Sequence, residues 1–110
     1  GLAHRMTRSQ WEHPEAVAEF DAAVRWYDEQ EPEIGLALID RARQARKNLD
    51  PWPNAAPPFA IADDGTVIRS KAIRGYPYRI VYTVEPDTIL ILAYAHERQE
   101  PGYWLRRLND

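Results

Sequence analysis

The sequence predicts a single α+β domain in which an N-terminal helix hairpin packs on a small antiparallel sheet, closed by a short C-terminal tail or helix. Two stretches with apolar residues every three or four positions come first, three strand-like runs rich in branched and aromatic residues come last, and a proline-rich segment separates them. A chain of 110 residues, 45% hydrophobic and 28% charged, suits one compact core and is too short for two. Residues 1–110 are read as one domain, with 1–5, ahead of Met6, set apart as an added tag or a native extension.

HPEAVAEFDAAVRWYDEQ opens with Pro14 at a first helical position and spaces Val17, Phe20, Val24 and Tyr27 by three, four and three, so a helix is expected over 14–29. Trp26 and Tyr27 are assigned to its buried side, and its acids to a solvated one. After Pro32, EIGLALIDRARQARKNL repeats the pattern with Gly35, Leu38, Ala42, Ala45 and Leu49, and a second helix is expected over 33–49. The short connection makes the pair an antiparallel hairpin.

DPWPNAAPPFAIADDG holds four of the nine prolines and no clear periodicity, and it reads as a loop ending in an Asp64-Gly65 turn. Strands follow over 66–73, 77–85 and 88–96, divided by turn signals at Gly75-Tyr76-Pro77 and Pro86-Asp87. TRSQWEH near the start is a candidate for one further strand.

A two-residue turn at Pro86-Asp87 sets Val84 opposite Ile89, and an unbroken ladder would continue through Val81 with Leu92 and Arg79 with Tyr94. Strict alternation then puts Tyr78, Ile80, Tyr82, Ile89, Ile91, Ala93 and Ala95 under the helices. It puts Arg79 and His96 together on the opposite, helix-free face.

Residues 1–40 carry nine acids against three bases, a balance of −6, and the remainder eleven bases against eight acids, a balance of +3. A local positive surface on an acidic protein suits a phosphate or an acidic partner at short range. The absence of cysteine excludes a disulfide framework and a thiolate metal site and makes the cytoplasm the expected compartment. The three histidines are dispersed, no glycine-rich phosphate loop or serine elbow is present, and neither a metal nor another cofactor is expected. No apolar run is long enough to cross a bilayer.

The order of strand, helix hairpin, proline-containing loop and three-stranded meander, with RWYDEQ, YPYRIVY and the closing HERQEPGYWLRR, resembles the RelE/ParE superfamily of toxins from type II toxin-antitoxin systems. The tail and the PYRIVY strand resemble its ParE side most. The resemblance implies a growth-inhibiting toxin of plasmid-stabilisation type, bound by a cognate antitoxin protein. It leaves three modes open: a ParE-like inhibitor of DNA gyrase, a RelE-like metal-independent endoribonuclease acting on mRNA at the ribosome, or a non-toxic homologue that only binds antitoxin.

For a nuclease, the resemblance places Arg79 on the scissile phosphate and His96 and Tyr103 as general acid or base groups. Lys71, Arg74, Arg98, Trp104 and Arg106 are the substrate- or partner-binding candidates, since arginine and aromatic side chains dominate interface energetics. Each has a plainer alternative. His96 would fix the C-terminal segment through a backbone hydrogen bond, Trp104 would anchor the tail, and the cations would form a solvated face or dock an acidic partner.

Overall fold

The computed structural model describes residues 8–110. The segment 1–5, expected to be a tag or an extension, lies outside the described residues. The elements are strand β1 (Ser9–Glu12), helices α1 (Pro14–Gln30) and α2 (Pro32–Leu49), strands β2 (Pro58–Ile61), β3 (Val67–Ala72), β4 (Tyr78–Val84) and β5 (Thr88–His96), and a terminal 3-10 turn, Leu105–Asn109.

Local chemistry sets the helix ends. His13 precedes Pro14, and its Nδ1 accepts the Glu15 N–H at 3.1 Å, satisfying one orphan donor of the first turn of α1. Glu31 takes an extended conformation and Pro32 starts α2 at once, so a single residue reverses the chain. The helices pack tightly at Gly35, where an added Cβ would overlap the Asp28 carboxyl and lie 3.1 Å from the Val24 carbonyl oxygen. Gly35, Leu38, Ala42, Ala45 and Leu49 are buried, as the spacing of α2 predicts. In α1 the sheet-facing line runs through Ala16 and Ala23, with Phe20, Val24 and Tyr27 packed beside them. Trp26, expected in the core, is 56% exposed, because the small alanines already fill the space nearest the sheet.

The sheet is mixed, in the order β1-β5-β4-β3-β2. β1, the candidate strand of the N-terminal segment, runs parallel to β5 from Ser9 opposite Thr88 to Glu12 opposite Ile91. The proline segment, expected to be a loop throughout, contributes β2, which pairs with β3 as far as Pro58 opposite Arg69. The two prolines at its start fit an edge position, where a missing N–H is tolerated.

The β4–β5 hairpin starts in the expected register, with Glu85 N–H bonded to the Thr88 carbonyl at 2.8 Å and Val84 opposite Ile89. The ladder does not continue unbroken. Tyr82 faces Ile91 and Val81 faces Ala93, leaving Leu92 as the extra residue of a β-bulge. Beyond it Arg79 lies opposite Ala95, and Tyr78 opposite His96. Leu92 and Ala93 both join the core away from the helices, and Tyr94 turns under them onto Phe20, ring centroids 4.7 Å apart.

Both sheet faces are therefore covered. Ile80, Tyr82, Ile89, Ile91 and Tyr94 pack under the helix hairpin. On the other face, expected to be free, Ile68, Val81, Leu92 and Ala93 pack under Trp104, with Tyr103, Leu105 and Leu108 of the C-terminal segment around them.

Candidate partner-binding site

Arg79 rises from β4 on the face covered by the C-terminal segment, at the end that this segment leaves open. Its Nε donates to Ser70 Oγ at 2.8 Å, and its guanidinium carbon stands 5.9 Å from the centroid of the Phe59 ring. The neighbouring cavity, about 200 Å3, has apolar walls from Phe59, Val81, Ala95 and Trp104, with His96, Tyr103, Glu97 and Glu100 also lining it. Among the described residues, no carboxylate forms an ion pair with Arg79. A half-buried cation with its terminal nitrogens unengaged and an apolar hollow beside it is a place for an anionic group.

A second cleft, about 400 Å3, lies on the other side of Arg79 and is lined by Leu49, Trp52, Ala56, Ser70, Lys71 and Tyr82. Trp52, 72% exposed, stands at this cleft. Since β2 pairs only as far as Arg69, the last three residues of β3, Ser70–Ala72, have no strand neighbour on that side. Ile73 N–H bonds the Tyr78 carbonyl at 3.0 Å, so the adjoining pair, Ala72 and Arg79, is the non-hydrogen-bonded kind and Ala72 directs its own N–H and C=O away from β4.

Arg79 and His96 both line the small cavity, but their side chains leave the sheet on opposite faces rather than together on one, as expected from strict alternation. The Leu92 bulge sends the His96 ring to the helix side, edge-on to Tyr78 with centroids 5.0 Å apart. His96 Nδ1 accepts the Arg98 N–H at 3.0 Å, and its own N–H donates to Gln99 Oε1 at 2.8 Å. Those bonds tie down the turn after β5. The Tyr103 hydroxyl donates to Glu19 Oε2 at 2.6 Å, and burial first, then Glu19, raises its pKa above the ordinary phenol value.

The binding candidates are dispersed. Lys71 lies opposite Ile80 and hence on the helix side of β3. Arg74 and Arg98 are exposed in the turns after β3 and β5. Trp104 is 1% exposed and stacks on Phe59, ring centroids 6.1 Å apart, so it anchors the tail. Arg106 is occupied by Glu15, its Nη1 and Nη2 donating to the two carboxylate oxygens at 2.8 and 2.6 Å.

Residues not singled out from the sequence hold this arrangement in place. β1 leaves β5 after Ile91, and the next polar groups of that edge are taken by side chains: Arg107 Nη1 donates to the Leu92 carbonyl at 2.9 Å, and the Tyr94 N–H donates to Glu19 Oε1 at 3.1 Å. Glu15 and Glu19 were assigned to a solvated face; here they receive Arg106, Arg107 and Tyr103. The available signal was the four-residue spacing of two acids on one helix, matched by adjacent arginines in the tail. His13, Glu15 and Asp110 lie close enough to share a metal ion, but His13 Nε2 meets Asp110 at 2.9 Å and two arginines face Glu15. That set is satisfied internally.

No family model matches the chain, and no curated protein matches it. Among solved structures it is similar to a chain described as "Chromosomal ParDE TA system from P. aeruginosa", with a TM-score of 0.69 and 20% sequence identity, covering 83% of this chain and 97% of that one. The likeness gives the fold: a helix hairpin on a small sheet, as the resemblance in sequence implied.

Proposed function

We propose that this chain is the toxin of a type II toxin-antitoxin module, held by a cognate antitoxin and acting through protein contact, with DNA gyrase as the first target to test. The fold it shares with a ParDE chain supports the class, and its surface supports the mode. The observation that carries the reading is the pairing of an uncompensated cation, Arg79, with an unpaired stretch of sheet edge at Ser70–Ala72. Main-chain groups at a free edge accept a peptide strand, and a nearby cation selects an acidic one.

The same geometry disfavours the ribonuclease alternative. Acid–base cleavage of RNA needs both proton-transfer groups within reach of one phosphate. His96 and Tyr103 line the Arg79 cavity, but the His96 ring packs edge-on to Tyr78 on the helix side and the Tyr103 hydroxyl is engaged by Glu19. Glu97 and Glu100 beside the cavity repel a polyanion further. Among the described residues no helix is long and apolar enough to cross a membrane, and we place the action of the protein in the cytoplasm.

The test is to induce the chain alone and together with the product of the adjacent small open reading frame, and to add purified protein to gyrase supercoiling and translation reactions. Growth arrest relieved by the partner, with supercoiling lost and mRNA intact, is the expected pattern. Cut mRNA with unimpaired supercoiling would replace this reading by the nuclease one.

A further inference from the structure

At the end of β4 away from Arg79, two hollows meet across one side chain. The first, about 320 Å3, lies between the β2–β3 turn and the C-terminal 3-10 turn, with Ile61, Leu105 and Leu108 on its walls. The second, about 570 Å3, is lined by Val67, Thr83 and Leu90, where β3 begins, β4 ends and β5 begins. Leu108 and Asp64 border both, so the two form one trough divided by a leucine ridge. Ile61 is 66% exposed, and Leu90, Leu105 and Leu108 are only half-buried. Thr83 spends its hydroxyl on the Val67 carbonyl at 2.9 Å. A contiguous apolar surface rimmed by charge is a place for a protein contact.

The rim is acidic. Asp63 and Asp64 stand on the turn after β2 and Glu85 on the turn before β5, and among the described residues none of the three forms an ion pair. Both turns are closed by hydrogen bonds, Ala62 N–H to the Thr66 carbonyl at 2.9 Å and Glu85 N–H to the Thr88 carbonyl at 2.8 Å. Hydrogen bonds from Thr66 foremost lower the Asp64 pKa below its ordinary 3.8, so this acid is charged throughout the neutral range. Two cations also border the trough, but Arg106 is occupied by Glu15, and Arg69 Nη1 donates to the Ala56 carbonyl. The local balance is negative.

We infer that this trough docks a basic amphipathic segment of a protein partner, with apolar side chains seated on either side of Leu108 and lysine or arginine side chains over Asp63, Asp64 and Glu85. The acidic rim selects the sign of the partner, and the apolar walls supply most of the contact energy. The site is separate from the Arg79 corner, which suits an acidic strand. One chain can therefore hold segments of opposite charge at the two ends of its tail-covered face. The inference goes beyond the toxin reading and stands without it.

The probe is a short fluorescein-labelled peptide of leucine and lysine in helical amphipathic order. Two companion peptides replace its lysines by glutamate or its leucines by serine. In anisotropy titrations of the full chain the leucine–lysine peptide should bind, and both companions should bind about tenfold more weakly or worse. Asp63→Asn, Asp64→Asn and Glu85→Gln combined should weaken the leucine–lysine peptide by about tenfold, and Ile61→Ser alone by about fivefold. Asp21→Asn, Glu29→Gln and Glu33→Gln combined make the same change in charge on the helices and should alter binding by less than about twofold. Arg79→Gln, which removes the cation offered to an acidic strand, should also leave it within about twofold.

Equal losses in the two triple variants would mean attraction to net charge alone and would overturn the inference. So would a glutamate or serine companion that binds as tightly as the leucine–lysine peptide, or the absence of saturable binding by that peptide. Self-association of the wild type that Ile61→Ser abolishes would assign the trough to a second copy and overturn it too. Ile61 and the three rim acids are exposed, so every variant should unfold at the wild-type temperature, which separates lost docking from lost folding. Failure at this site leaves the toxin-antitoxin reading standing, since that reading rests on Arg79 and the opposite end of the sheet.

Discussion

The buried Arg107 and the half-buried Glu19 form a bidentate pair, Nη1 to Oε1 at 2.9 Å and Nη2 to Oε2 at 3.0 Å, that joins the C-terminal turn to the first helix across 88 residues of sequence. The same groups satisfy the edge of β5 past the end of β1. Removing one member leaves a charge in a dry site, and Glu19→Ala should cost about 3–5 kcal/mol in urea unfolding. Glu19→Ala with Arg107→Met should recover a large part of that loss, because the stranded cation is gone.

Acid should loosen the tail before the core. The Arg106 hydrogen bond foremost lowers the Glu15 pKa below its ordinary 4.5. A carboxylate with a depressed folded-state pKa contributes stability that is intact above the ordinary value and is lost as pH falls through the depressed one. Trp11, Trp26 and Trp52 are 50%, 56% and 72% exposed and Trp104 is 1% exposed, so a red shift in tryptophan emission reports the tail. The shift should appear below about pH 4, and Glu15→Gln, which removes the titrating group, should flatten it and leave the tail looser at neutral pH.

Alkali should act through two tyrosines. Burial, then a hydrogen-bonded carboxylate, raises the pKa of both Tyr94 (Glu12) and Tyr103 (Glu19). A group whose folded pKa is raised contributes stability that is full below the unfolded value, about 10, and is lost as pH rises through the folded one. Tm should therefore fall above about pH 10, and Tyr94→Phe with Tyr103→Phe should flatten that fall. Spectrophotometric titration should show the two phenols ionising only as the fold is lost.

His96→Ala provides a contrast to Arg79→Gln. Its ring holds the Arg98 N–H and packs on Tyr78, so the variant should lose about 1 kcal/mol of stability. It should leave partner affinity within about twofold, since the ring points to the helix side against Tyr78 although the residue borders the Arg79 cavity. A loss of affinity equal to that of Arg79→Gln would mean that the helix side of β5 also belongs to the interface.

The two helices were legible because apolar spacing and prolines mark them directly: the stripe Gly35, Leu38, Ala42, Ala45, Leu49 is the buried stripe observed. The Pro86-Asp87 turn fixed the first pairs of the last hairpin equally well. The bulge was illegible because TILILAYAH is apolar on both faces, so no polar residue marks where alternation breaks. β2 was hidden by its prolines, which signal a loop but also suit an edge strand. For the site, Arg79 was visible as a strand cation, whereas its separation from His96 turned on one unpaired leucine. Glu15 and Glu19 were invisible as partners of the tail, because charges on a helix surface do not reveal what lies over them.

The parallel pairing of β1 with β5 has a consequence during synthesis. The helix hairpin and the β2–β3–β4 meander are built from neighbours in sequence, whereas β1 must wait for the last strand to leave the ribosome. The Glu15 and Glu19 clasps wait longer still, for arginines near residue 107. The nascent chain therefore carries the β5 side of the sheet unsealed until the segment around residue 107 has emerged.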